Sequence, residues 1–226
     1  MTMKSITPTT RQEKQFRRFV EDATDKAFEE VGLNKDALQR LLGNGGKFQA
    51  DIVASIQKHS AQDERFKLVS TFKLTVPKSY NHATQLTSFS KEKRKKFSHY
   101  NDALTDENFA KATNKLVPGK TYTAKIFQLT TRMSSKDCVT FLKTQKAILV
   151  GAQGISFVWQ EKKDEFPVGK WTVSFDEKDA LFVDTDGYPR VPFVVRRSGG
   201  GWDFLLGDFE FGWSVVNCLL CLCDCG

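Results

Sequence analysis

Between Ala147 and Phe175 the chain reads AILVGAQGISFVWQEKKDEFPVGKWTVSF, an order of residues that few folds accommodate. Ala147–Val150 is a short aliphatic run stopped by Gly151, the composition of a buried strand. From Ile155 the apolar residues fall at Ile155, Val158, Trp159 and Phe166 while 160–165 is polar, which predicts a helix with one buried face. Pro167 and Gly169 end it. Trp171, Val173 and Phe175 then alternate with Thr172 and Ser174, as a half-buried strand does. Strand, helix and strand in so little chain predict the core of a C-terminal domain.

The flanking sequence supplies the remaining elements. Phe16, Phe19, Val20, Ala23, Ala27 and Val31 recur at helical steps, with Thr9 or Thr10 to cap the helix and Gly32 to end it. A second helix carries Ala37, Leu38, Leu41 and Leu42. A third follows the break at Gly43–Gly46. If these form a helix-turn-helix, the third presents Gln49, Gln57, Lys58 and His59. Phe66–Val76 and Lys120–Thr130 alternate as strands, and Ser134 or Ser135 caps a helix over 136–144. Phe89, Phe97, Tyr100 and Leu104 fit a helical stripe behind the run Lys91–Lys96, and Thr105-Asp106-Glu107 reads as a helix start. Asp186-Gly187 between two apolar runs predicts a hairpin, and 202–211 and 213–223 are the closing strands.

The fold class expected is α+β: a helical N-terminal region followed by a compact, mostly β C-terminal domain with one or two helices. Charge suggests where to divide it. Residues 1–118 hold 21 Lys+Arg against 14 Asp+Glu, and 119–226 hold 13 against 13. The expected parts are therefore a basic, mainly helical 1–118 and an α+β domain 119–226 with a mixed or antiparallel sheet. The basic part suits an acidic partner such as nucleic acid, through Lys91, Lys93, Arg94, Lys95 and Lys96 with nearby rings for base stacking.

Four cysteines, Cys218, Cys221, Cys223 and Cys225, crowd into eight residues and are the residue type that zinc prefers. A strand there turns Cys221, Cys223 and Cys225 to one face and Cys218 to the other, which favours core cysteines over a metal site. Asp184-Thr185-Asp186-Gly187 lacks the later ligands of a calcium loop. Gly151-Ala152-Gln153-Gly154 lacks the lysine and hydroxyl of a phosphate-binding loop. Asp176, Glu177 and Asp179 have no partner in sequence that would make them catalytic. The expected function is recognition without catalysis. Trp202, Trp213, Asp184 and Asp186, with the 199–201 glycine turn, are the candidate contacts to a protein or small ligand. A nucleic-acid-binding protein and an enzyme without a recognisable motif are the alternatives. No run of about 18 apolar residues spans a membrane, no cofactor is implied, and a cytoplasmic location is the expectation.

Overall fold

The computed structural model describes residues 9–32, 34–60 and 63–224, apart from the side chains of 41, 42, 53, 54 and 56–60. The chain divides into two units, Met1–Ala61 and Gln62–Gly226.

The first unit holds three helices, α1 (Thr10–Val31), α2 (Lys35–Gly43) and α3 (Gly45–Ser60). Thr9 and Gln12 form a reciprocal capping box at the start of α1, and Gly32 ends it at φ 60°. The helix buries no side chain, and Phe16 and Phe19 of its apolar repeat are 48% and 67% exposed. The expected four-residue break narrows to Asn44, whose carbonyl accepts from Lys47 and Phe48. Of the residues a DNA-reading helix would present, Gln49 is exposed. The side chains of Gln57, Lys58 and His59 lie outside the described residues.

The second unit is built on a mixed eight-stranded sheet with helices on both faces. In chain order its elements are β1 (Phe66–Thr75), α4 (Gln85–Lys93), β2 (Phe97–Tyr100), β3 (Thr121–Leu129), α5 (Ser135–Thr144), α6 (Gly151–Lys162), β4 (Trp171–Val173), β5 (Phe182–Val183), β6 (Pro189–Arg196), β7 (Trp202–Asp208) and β8 (Asn217–Asp224). The strands lie in the order β1-β3-β8-β4-β6-β7-β2, with β5 hairpinned onto β6. β4 runs parallel to β8 and β2 parallel to β7, and the other pairs are antiparallel. The α+β class is thus correct, but the division at 118 is not. β1 and β2, from before that point, hydrogen-bond to β3 and β7, from after it. Divided at 61/62 instead, the excess positive charge is 10 against 8 in the first unit and 24 against 19 in the second. Charge followed the sequence, whereas strand pairing set the boundary.

Strand alternation assigns the two faces. Leu74, Tyr122, Ala124, Ile126, Val194, Phe204, Leu220 and Leu222 meet α4 and α6 through Leu86, Phe89, Ile155, Val158 and Trp159. On the other face Phe66, Phe127, Leu219 and Cys221 meet α5 through Cys138, Phe141 and Leu142. The Phe66 and Phe141 rings stack with centroids 3.7 Å apart.

The organising stretch differs from expectation at its start. Ala147–Val150 forms no strand and makes one bridge, Ile148 to Leu222. Gly151 adopts φ 51°, a left-handed turn that costs glycine little, and α6 begins there rather than at Ile155. Every residue from Gly151 to Trp159 is buried, so this half of α6 is apolar all round. Residues 97–100 are also not helical; they form the edge strand β2. Asp106 begins no helix of its own. Its carboxylate instead accepts from Leu86 N and Thr87 N, at 2.9 and 2.8 Å, capping α4 from across the chain.

Just before α4, His82 is 8% exposed and its Nδ1 lies 3.0 Å from the Tyr80 hydroxyl. Burial pushes its pKa down to about 4; Lys115 adds to the shift and Asp106 opposes it. The folded protein therefore refuses a proton that the unfolded chain accepts near pH 6.5. Stability supplied above that pH is lost progressively as the pH falls from 6.5 toward 4. At pH 5 the loss is about 2 kcal/mol. Urea midpoints at pH 7.5 and 5 should differ by this much more in the wild type than in His82→Gln. Equal differences would remove His82 as the cause.

Candidate functional site

α5 covers the β1-β3-β8 part of its face, and the β4-β6-β7 part is left to a loop, 209–216, between β7 and β8. Here lies a groove of about 360 Å³, lined among others by Trp171, Phe193, Gly207, Phe211 and Trp213. Trp171 opens β4, and Phe193 faces the same side from the paired strand β6. The two rings stack 5.2 Å apart at 7°. Trp171 is nevertheless 42% exposed and Phe211, in the loop, 70% exposed. Two large apolar rings exposed at one groove make it the candidate contact surface.

Trp213 forms the rigid wall. Its backbone exchanges two hydrogen bonds with Met133, at 2.9 and 2.8 Å. Its indole Nε1 donates to Ser135 Oγ at 2.7 Å, and that hydroxyl donates to the Phe209 carbonyl at 2.6 Å. Edge-on contacts to Phe175 and Phe193, at 5.7 and 6.5 Å, complete its seat. Gly207 makes room for it, because a Cβ there would lie 2.8 Å from Trp213 Cη2 and 3.4 Å from Phe193 Cε1. Asp208 is the one ionisable residue lining the groove, and its Oδ1 accepts from Glu210 N at 2.8 Å. Asn217 Oδ1 accepts from Ser214 N at 2.7 Å and holds the far end of the loop.

Of the four residues expected to contact a ligand, only Trp213 lines this groove. Trp202 points to the opposite face, packed edge-on against Trp159 and Phe166 at 5.5 and 5.9 Å. Asp184 organises the β5–β6 hairpin. Its Oδ1 accepts from Asp186 N and Tyr188 N and its Oδ2 from Arg190 Nε, at 3.0, 2.9 and 2.6 Å. Those bonds, that from Tyr188 foremost, hold its carboxyl below the usual range. Asp186 lies exposed in the same turn. The glycine turn 199–201 joins β6 to β7 and packs beside Ser98, away from the groove lining.

The basic run follows the outer edge of the sheet. Lys93 pairs with Glu92 at 3.8 Å, and Arg94 pairs with Asp102 and lies over the Tyr100 ring. Lys91, Lys95 and Lys96 are exposed. Beside them His99 and Arg197 converge on the buried carboxylate of Asp203: His99 Nδ1 is 3.1 Å from Oδ1, and Arg197 Nε donates to Oδ2 at 2.8 Å. The His99 side chain remains 66% exposed and that of Arg197 46%. The sequence offers His99 only as a ring beside the basic run and gives no sign of Arg197, because the two meet only through the parallel pairing of β2 with β7.

The acids Asp176, Glu177 and Asp179 have separate surroundings. Asp176 is buried, accepts from Thr113 N and Glu177 N at 3.1 and 2.8 Å, and burial raises its pKa. Glu177 pairs with Lys143 at 2.8 Å, and Asp179 is exposed. At the start of α6, Gly151–Gly154 is buried, with Asp176 Oδ2 3.2 Å from where a Gly151 Cβ would sit. A carboxylate rather than a free phosphate site neighbours that turn.

Among the cysteines, Cys218 joins the α6 face, and Cys221 and Cys223 join the α5 face. Cys225 lies outside the described residues. No group of three or more His, Cys, Asp or Glu is placed to hold a metal ion among the described residues. As the alternation of a strand predicts, Cys218 faces away from Cys221 and Cys223. No described helix is long and apolar enough to cross a membrane. No family model, curated protein or solved structure matches the chain.

Proposed function

We propose that the protein is a recognition module without catalytic activity, binding through the Trp171–Phe193–Phe211–Trp213 groove. The reading rests on one observation: Trp171 and Phe211 stay 42% and 70% exposed around a groove of about 360 Å³. That volume falls in the range of small-ligand sites and admits one or two side chains of a partner. With rings on its walls and Asp208 as its one ionisable lining residue, the groove suits an extended apolar peptide segment carrying a lysine or arginine. The cytoplasmic location expected from the sequence belongs to the same proposal.

A second reading, nucleic-acid binding, draws on the exposed Lys91, Lys95, Lys96, His99 and Arg197 along the β2 edge. Both readings are tested on the full chain, since residues 1–118 lack the strands that β1 and β2 pair with. The probes are a fluorescent peptide alternating leucine with lysine, its glutamate counterpart, and a single-stranded oligonucleotide. The lysine peptide should bind better than the glutamate one. Trp171→Ser should weaken it at least tenfold, about 1.4 kcal/mol, and Gly207→Ala should weaken it by displacing the Trp213 ring. Unchanged peptide affinity in both variants sinks the groove reading. Oligonucleotide binding that falls steeply with salt and ignores Trp171→Ser would support the basic edge instead.

A further inference from the structure

Cys221 and Cys223 stand two positions apart on β8, so strand alternation turns both to the α5 face. Their sulfurs lie 3.5 Å apart. Burial divides them: Cys221 is 0% exposed, whereas Cys223 sits at the rim, partly open to solvent. Cys223 also donates its S–H to the Gln145 carbonyl at 3.3 Å, at the end of α5. The Cys221 thiol is thereby the one that donates to the Cys223 sulfur.

We propose that Cys223 and Cys221 form a peroxide-sensitive thiol pair, Cys223 the attacking sulfur and Cys221 the resolving one. The Cys223 thiolate attacks one oxygen of hydrogen peroxide, the O–O bond breaks, and hydroxide leaves to be protonated to water. The resulting sulfenic acid is then attacked by the Cys221 sulfur. An S–S bond forms, the S–O bond breaks, and a second water departs with the Cys221 proton. Two thiols lose two electrons in all, and the peroxide gains them. Redox-sensing cysteines combine an accessible, easily ionised sulfur with a second thiol alongside.

The surroundings favour this division of labour. The hydrogen bond from Cys221 holds Cys223 down to about 7, Lys125 on β3 helps, and burial and Asp224 oppose. The same bond and burial push Cys221 up. Burial raises Cys138 and Cys218 to about 12, leaving them inert at neutral pH. On its β3 side β8 stays paired as far as Asp224, and only its other side is loose. β4 pairs with β8 only at 217–219, and beyond it that side of β8 is held by the single Ile148–Leu222 bridge. Two strand residues separate their Cα atoms by about 6.7 Å, the upper end of the span a disulfide closes. The bond therefore forms under strain and is readily reduced, as a reversible switch requires. Its closure removes the S–H that Gln145 accepts and frees the end of α5.

The test treats the full chain with hydrogen peroxide, as wild type and as Cys221→Ala, with dimedone present to trap sulfenic acid and peptide mapping as the readout. Wild type should yield a Cys221–Cys223 disulfide reversed by dithiothreitol. Cys221→Ala should yield dimedone-labelled Cys223, at least tenfold above the label on Cys138 or Cys218. In urea that tenfold preference should vanish. Label spread equally over the cysteines of the folded protein overturns the proposal. So does a Cys223–Cys225 bond as the main wild-type product, which would make Cys225 the resolving thiol.

Discussion

Trp159→Ala should cost about 4 kcal/mol, the largest loss expected from any single side chain of the second unit. Trp159 is 2% exposed, and its ring lies 4.6 Å from that of Phe97, 5.5 Å from Phe89 and 5.5 Å from Trp202. Those three partners belong to β2, α4 and β7, so one indole fastens α6 to a helix and to two strands. Alanine would leave a cavity walled by rings that cannot collapse together without moving the sheet edge. The melting temperature should fall by about 12 °C, taking 2–4 °C per kcal/mol for a unit of this size. The indole Nε1 has no acceptor among the described residues. Trp159→Phe removes that orphaned donor while keeping one ring, so its loss should be less than half that of alanine. Calorimetry of both variants checks the order; an equal loss in the two would mean that the cavity is not the dominant cost.

Gly154→Ala should cost about 3 kcal/mol for the opposite reason, too much matter rather than too little. A Cβ on Gly154 would overlap Val150 Cβ and Cγ2, far inside van der Waals contact. Val150 is 2% exposed and branched at Cβ, so it has no flexible end to swing aside. The helix start must shift, and it carries Ala152 and Ile155, both buried, with it. In a double mutant with Val150→Gly, most of the Gly154→Ala loss should return, because the obstructing Cβ and its methyl groups are gone. If Val150→Gly and Gly154→Ala simply add, the clash is not with Val150.

The part of the fold legible in the sequence is the part that local chemistry decides. β1, β3, α5 and the β5–β6 hairpin follow from period-two alternation, a Ser134 cap and an Asp-Gly turn, each readable within ten residues. Ala147–Val150 was misread because a short aliphatic run suits a buried helix entry as well as a strand, and only Gly151's left-handed angle decides between them. β2 was hidden because its pairing partner lies about a hundred residues along the chain, and the charges before it suggested a helix face. The groove was half legible. Trp213 stands out in the sequence as a large ring opening the last expected strand, but Trp171 and Phe211 gain meaning only because α5 stops short of β4. Trp202 shows the limit of composition: like Trp213 it looked available, and alternation along β7 put it in the interior.

The strand order carries a consequence for synthesis. β8, the last strand in chain order, lies at the middle of the sheet, between β3 and β4. Until Asn217–Asp224 has left the ribosome, the earlier strands remain two separate ribbons with open hydrogen-bonding edges at β3 and β4. The nascent chain must therefore wait, partly assembled, for its keystone, a delay that exposes it to chaperones and to mispairing with its neighbours.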